Sequence, residues 1–515
     1  MALERKVYSA LESIVGPENI TEDPAILLVY RYQRAVSRYV PDSGRFWTYV
    51  SEAVVLPGSA EEVIDIVKLC NRYKVKFKAF STGWGPYALP GQEGVILLDL
   101  RRMNRIIEID KKNMYAVVEP YVIAAQLEAE AEKVGLTAPI ASSASHSILA
   151  TCTSGWGISI KGASCGYHDH NLLGVEWVLP TGELVKLGAV GAGAGWFSGD
   201  GPGPSLRGIV RGFSGGVGSN GVFTKCATKL YPWPGPANPE IVGEYPQIGM
   251  NLPENFKLLI AYWPGWDNQA EAMFKINENE IGMVVWRTPA ILMTTLLTST
   301  NNENLKKPPQ MLKKYKFGIE VLIAAHSMRE AEYQERVLRD IVAETGGDFA
   351  SLDEEPFKDQ IPVLLTYYVM NPYMARIFRP LGDWGTSLNV MESWDLSLKI
   401  QKLGEKILKK SKELTMATPE NFWGGAYSHN RQATFEQIYY IDPTDRASRM
   451  AYKPYRDQTE RALTEKKFGI PPVASAASRE QLGPLYDNYH LWTKKVKKTI
   501  DPENLADHSF YIIPE

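Results

Sequence analysis

The sequence predicts an α+β protein built as two units, on three observations. Short apolar strands alternate with amphipathic helices through roughly the first 235 residues. The proline-rich run Tyr231-Pro-Trp-Pro-Gly-Pro-Ala-Asn-Pro239 then breaks that rhythm sharply. Beyond it, strand–helix–strand units of similar size predict a pseudo-repeated sheet with helices on one face. At 515 residues the chain also exceeds what one hydrophobic core holds, so two or three domains are expected.

The elements follow in order. Val54-Val55-Leu56-Pro57 is a short strand. Ser59 then opens a helix with Glu62 three residues on, a pairing that satisfies two free backbone donors. Val63, Ile64, Val67 and Cys70 give this helix one apolar face. Residues 76–80 and 95–100 are strands around the glycine-rich STGWGPYALPGQEG; a strand at 115–119 and a helix at about 123–134 come next. Strands 175–179 and 184–187 join through the turn Pro180-Thr181-Gly182-Glu183. Glycine dominates from 188 to 221, where Trp196 and Phe197 form either a lid or docking patch, or a plain ordered turn. In the second unit, strand 317–325 leads into a helix capped by Ser327 and Glu330. A long helix at 396–414, strands at 422–429 and 435–441, and a helix at 447–467 complete it.

Composition excludes several classes. A net charge of −3 carries no basic excess for nucleic acid, and the lysines at 306, 307, 313, 314 and 316 fit a solvated face. Four cysteines, none in a C-x-x-C pair, make a disulfide scaffold improbable. The N-terminus lacks a signal-peptide core, and no apolar run reaches the roughly 18 residues of a membrane span. A reducing cytoplasm is the expected location.

Three segments carry the chemistry. Ser81-Thr82-Gly83-Trp84-Gly85 follows a strand directly, and glycines let several backbone N–H groups approach a diphosphate. It is not G-x-G-x-x-G opening a helix, which disfavours a Rossmann fold. A second segment, 139–157, is small, polar and glycine-punctuated; a third is Gly215-Gly-Val-Gly-Ser-Asn-Gly-Val-Phe-Thr224. Together they suit a long, flat, phosphate-bearing cofactor.

Their order also carries a resemblance. Leu56-Pro57, STGWG, GVILLDLRRMNRIIEID, YAVVEPYV, SGWG, GVEWVLPTGELVKLG and GVFTKCATKLYPWPG resemble the FAD-binding domain of the vanillyl-alcohol oxidase and p-cresol methylhydroxylase flavoprotein family. The resemblance is close over the first 235 residues or so, and Asp501-Pro-Glu-Asn-Leu-Ala506 echoes the family's C-terminal segment. It implies an FAD-binding domain of two α+β subdomains over 1–238. It further implies a substrate-binding cap with a large antiparallel sheet over 239–470, and a tail, 471–515, returning to the first domain.

By that resemblance Pro57 and residues Ser81, Thr82, Gly83, Trp84 and Gly85 hold FAD near its diphosphate. Pro139, Ser142, Ser143, Thr153, Ser154 and Trp156 line the flavin or ribityl chain, and Gly221, Val222 and Thr224 the adenine or ring side. Tyr87 and Trp423 face the substrate. The implied activity is an FAD-dependent dehydrogenase acting on a CH–OH or CH group of a small alcohol, 2-hydroxy acid or 4-alkylphenol. Hydride goes to flavin N5, and electrons pass to a protein acceptor such as a cytochrome, an iron–sulfur protein or an electron-transfer flavoprotein. A flavin-bearing subunit of a larger redox complex is the rival. A non-redox enzyme like alkyl-glycerone-phosphate synthase is disfavoured, because that enzyme's histidine-rich tail is missing.

Departures matter as well. The diphosphate loop holds no histidine, and the cap position that tethers flavin in some relatives falls near Arg379, so non-covalent FAD is expected. Cys152 is off the thioether position of another branch. The tail arginine that clamps phenolates is replaced near Ala506-Asp507-His508-Ser509. His429 is the leading catalytic base, because imidazole titrates near neutral pH. Tyr427 and Arg431 are expected to alternate with it along a strand, and His508 is a second candidate. His168-Asp169-His170 resembles a metal site but lacks a partner pair, so a hydrogen-bonded turn and no metal are expected. The quaternary expectation is a homodimer or larger oligomer.

Overall fold

The computed structural model describes residues 3–31, 49–83, 88–141, 143–153, 157–188, 206–210, 219–300, 303, 314–372, 383–410, 422–429, 432–441, 445–466 and 483–507. The architecture is α+β. In the first unit a small sheet has the order Ile20–Thr21, Val54–Val55, Val95–Asp99, Lys76–Phe80. Its last three strands are parallel. The crossover helix Ala60–Tyr73 starts where Ser59 accepts the Glu62 N–H, while the Glu62 carboxylate takes the Gly58 N–H at 2.7 Å. Its buried face is Val63, Ile66, Val67 and Cys70, so Ile66 takes the place expected of Ile64, which is only half-buried. Each such aliphatic side chain contributes about 1.5–3 kcal/mol.

A five-stranded antiparallel sheet follows, ordered Ile106–Asp110, Tyr115–Val118, Val222–Lys229, Leu172–Val178, Leu184–Leu187. Beyond the proline-rich run lies one seven-stranded antiparallel sheet, ordered Asp348–Phe349, Phe256–Tyr262, Gly318–Ala324, Val284–Arg287, Phe422–Tyr427, Gln432–Ile441, Asp383–Glu392. Strand periodicity divides its side chains between two cores. Val285, Ile319, Val321 and Phe435 face the helices Trp266–Glu278, Met328–Glu344 and Trp394–Leu408. Val284, Trp286, Leu322, Trp423 and Tyr427 face the other way, onto Ile158, Ile160 and Tyr167 of the first unit.

That inner core also holds the helix Ile361–Met370, whose sequence IPVLLTYYVM is apolar on all sides. A helix buried all round has no amphipathic stripe, so periodicity gives no sign of it. One expected strand is shorter than its apolar run. Phe422–Tyr427 ends in a turn at Ser428 and His429, with φ of +46° and +49°. His429 therefore does not alternate with Tyr427 along a strand. Both turn N–H groups bond back to the first unit, Ser428 to the Gly162 carbonyl at 3.0 Å and His429 to the Ala163 carbonyl at 3.4 Å.

Candidate functional site

Two of the three small-residue segments meet on one atom. The Ser81 and Ser147 hydroxyls both donate to the Pro120 carbonyl, at 2.6 and 2.5 Å, and the Ser147 N–H reaches Thr82 Oγ1 at 3.3 Å. Ser81 and Thr82 thus hold the two loops together. Gly83 has φ +69°, and a Cβ there would lie 2.4 Å from the Phe80 ring, so only glycine closes this turn.

The remaining expected cofactor residues are placed as follows. Pro139 lies beside buried His168, whose pKa burial lowers to about 3, with His146 adding to the fall and the Pro139 carbonyl opposing it. Ser143 is buried in the second loop, and Thr153 donates to the Leu149 carbonyl at 2.8 Å. Gly221, at φ +108°, packs against the Val178 carbonyl, and Val222 begins a strand behind it. Thr224 donates to Glu176 Oε1 at 2.9 Å, and Pro57 is buried just before the first crossover helix. Trp84, Gly85, Tyr87, Ser142, Ser154, Trp156, Trp196, Phe197, Arg379, Arg431 and His508 lie outside the described residues.

The second loop leads into the seam with the other unit. Ala144 N–H donates to the carbonyl of Asn371, the C-cap of helix Ile361–Met370, at 3.2 Å. Tyr427 Oη accepts the Ser159 N–H at 3.0 Å, and Ser164 Oγ reaches the Met283 carbonyl at the same distance. Gly162 admits the Tyr427 ring, for a Cβ would meet it at 2.3 Å. Burial holds the Tyr427 hydroxyl well above its usual range, with Tyr167 adding to the effect.

Behind Tyr427 stands an aromatic wall. Trp286 packs edge-on to Trp423 at 4.8 Å and to Tyr427 at 6.0 Å, and Trp423 Nε1 donates to Tyr367 Oη at 3.1 Å. Trp423 is buried against this wall. Within it sits Glu320, whose Oε2 accepts the Thr288 N–H at 2.8 Å. Burial raises its pKa to about 8, against the pull of the Thr288 N–H and of Arg287, which stacks over Trp266 on the outer face. Burial thus favours the protonated form. The Thr288 hydroxyl and the Tyr368 phenol beside it, both buried, make no hydrogen bond of good geometry.

Glu320, Thr288, Tyr367, Tyr368 and Asn371 were not among the expected site residues. One signal was present: a lone carboxylate at an inner position of the apolar strand GIEVLIA.

His168–Asn171 is a short 3-10 turn. The ring nitrogen His168 Nδ1 lies 2.8 Å from Thr151 Oγ1, and the contact between His170 and Asp169 measures 3.6 Å. Among the described residues no group of three His, Cys, Asp or Glu side chains is placed to hold a metal. Cys152 is buried beside Thr228 Oγ1 at 3.7 Å, and burial pushes its thiol up to about 12.

These glycine-bearing loops, gathered on the Pro120 carbonyl, suit the diphosphate of a dinucleotide. Residues 51–188 match the family described as FAD binding domain. The chain is 22% identical over 525 residues to a probable mitochondrial D-lactate dehydrogenase of Danio rerio, covering 98% of this chain and 91% of that protein. It is 30% identical to the flavoprotein subunit of the hydroxylating 4-cresol dehydrogenase of Pseudomonas putida, over 44% of this chain and 43% of that one. The fold matches the 4-ethylphenol oxidase of Gulosibacter chungangensis with a TM-score of 0.77 at 19% identity, over 99% of this chain and 97% of the other. The first unit therefore carries an FAD-binding domain. The protein as a whole is an FAD-dependent oxidoreductase.

Proposed function

We propose that this oxidoreductase is a dehydrogenase acting on a CH–OH or benzylic CH group of a small organic substrate held against the inner face of the cap sheet. One observation carries the reading. The bonds from Ala144 to Asn371 and from Ser159 to Tyr427, with Gly162 against the Tyr427 ring, join the second loop and the segment after it to the second unit. When bound, FAD supplies a hydride acceptor, and the protein orients it and excludes water. The buried aromatic wall dries the site. Tyr427, fixed by the Ser159 N–H, sets the distance between the two units. The proposed base is His429, half-buried in the turn that the Gly162 and Ala163 carbonyls hold; it accepts the substrate hydroxyl proton. Arg431 and His508 are proposed as substrate-carboxylate and tail contacts, and Tyr87 as a substrate contact.

The substrates named in the relatives give the panel: 2-hydroxy acids such as D-lactate, and 4-alkylphenols such as 4-cresol. FAD is proposed to be non-covalent, because the Cys152 thiol is buried and un-ionised. The proposed electron acceptor is a protein, by analogy with a relative that is the flavoprotein subunit of a larger enzyme. All four cysteines are buried free thiols, which suits a reducing cytoplasm, and no described helix is long and apolar enough to cross a membrane. A homodimer is proposed as the assembly.

Anaerobic mixing with the panel tests the reading. Bleaching of the flavin by one substrate class supports it, and loss of bleaching in His429→Gln with FAD still bound supports the base. If the flavin bleaches only with a reduced partner protein, the chain is an electron-transfer subunit and the dehydrogenase reading falls. Acid precipitation separates free FAD in the supernatant from a tether in the pellet.

A further inference from the structure

We propose that Asp507 is a positioning residue for the cofactor: from the C-terminal tail, its carboxylate clamps both ends of the first glycine loop, and Lys497 ties the same tail to the third. The tail lies along the strand Lys76–Phe80, with the Phe77 N–H donating to the Leu505 carbonyl at 2.9 Å and the Asp507 N–H to the Phe77 carbonyl at 2.8 Å. That strand runs straight into Ser81, Thr82 and Gly83. On its upstream side Asp507 Oδ2 is 3.6 Å from Lys78 Nζ. On the downstream side it accepts the Gly91 N–H at 2.9 Å, while Oδ1 accepts Gln92 Nε2 at 3.0 Å. Lys76 donates to the far side of the same Gln92 amide. One carboxylate thus fixes the entry to and the exit from the loop.

The second half of the clamp is Lys497. Its ammonium donates to the Ser219 carbonyl, to the Ala506 carbonyl at 2.9 Å and to the Asp501 carboxylate. Asp501 in turn accepts the Leu505 and Ala506 N–H groups, each at 3.0 Å. Ser219 and Asn220 lead directly into Gly221, so the tail is bonded to both loops at once.

All four charged side chains are 3% exposed or less. Burying two ion pairs carries a desolvation cost of several kcal/mol per ion, and well-packed apolar residues often stabilise a fold as well. Charged hydrogen bonds offer direction instead, and here they are aimed at named backbone atoms of the two loops. Burial lowers the Lys78 pKa to about 8, opposed by Asp507.

The inference rests on the reading that residues 81–83 and 219–224 hold FAD. Its test is the FAD dissociation constant of the full chain stripped of flavin, measured beside the melting temperature of the same apoprotein. Gln92 is half-buried, so Gln92→Leu cuts the exit contact without leaving a buried charge. The paired variant Lys78→Met/Asp507→Leu removes both partners together. We expect FAD binding to weaken at least tenfold in both, with the Gln92→Leu apoprotein melting as the parent does. A dissociation constant within twofold of the parent overturns the clamp, and so does a weakening matched by an equal loss of apoprotein stability. Gly83→Val separates the two claims. If it weakens FAD binding while Gln92→Leu and the paired variant do not, only the clamp fails; if it too leaves the constant untouched, the loop assignment fails and the clamp with it.

Discussion

In the FAD-binding unit three buried ion pairs each fasten a loop, although Glu132 is buried there without such a partner and burial raises its pKa to about 8. Lys161 bonds Glu128 at 2.7 Å and Thr137 at the same distance, both hidden from solvent; Lys78 meets Asp507, and Lys497 meets Asp501. On the inner face of the cap sheet Glu320 is equally buried, with Thr288, Tyr368 and an aromatic wall around it, and burial raises its pKa against the opposing pull of Thr288 and Arg287. The first arrangement resists movement, because separating a pair exposes an uncompensated charge. The second leaves a polar patch of Glu320, Thr288 and Tyr368 inside an apolar core.

Breaking a pair should have the largest effect. Lys161→Met strands Glu128 and should cost about 3–5 kcal/mol in denaturant unfolding, while Lys161→Met/Glu128→Leu should recover most of it. A double variant as unstable as the single one would mean that Lys161 acts through packing and not through its charge. Next comes the seam. Gly162→Ala drives a methyl into the Tyr427 ring and should cost about 1–3 kcal/mol, with substrate-dependent flavin reduction slowed more than FAD binding.

The Glu320 contrast can be sharpened by pH. Between its ordinary 4.5 and about 8 the unfolded chain ionises while the folded chain keeps its proton, so this group lowers stability as pH rises through that window. Glu320→Gln ionises in neither state. Its stability advantage over the parent should be absent near pH 4 and grow by about 1.4 kcal/mol per pH unit through the window up to about pH 8. A difference that does not change with pH would show Glu320 to be charged in the folded protein. The smallest effect is expected from Trp423→Phe, which loses the bond to Tyr367 Oη and about 1 kcal/mol, read as a small fall in melting temperature.

Several elements of both units were legible in the sequence because their signals are local. Ser59 with Glu62, and Ser327 with Glu330, mark helix starts with chemistry confined to four residues, and both caps form. Glycine at 83 and 221 announces backbone that no side chain tolerates, and both have positive φ. What escaped depends on contacts distant in sequence. The Asp507–Gly91 bond spans 416 residues, and the Tyr427–Ser159 bond spans 268, so neither leaves a periodic trace. The helix Ile361–Met370 was missed because burial on every side erases its amphipathic stripe. Alternation with Tyr427 and Arg431 predicts a strand through His429, whereas bonds to the carbonyls of Gly162 and Ala163 hold Ser428 and His429 in a turn.

In the proposed reaction a substrate hands its hydride to FAD between the first unit and the inner face of the cap sheet. Rapid anaerobic mixing of the flavin-loaded protein with a 2-hydroxy acid or a 4-alkylphenol measures that directly. Flavin reduction that saturates with substrate, and that slows in both His429→Gln and Gly162→Ala, is the predicted result. A flavin that stays oxidised with every member of the panel, yet is reduced by a partner protein, would contradict it.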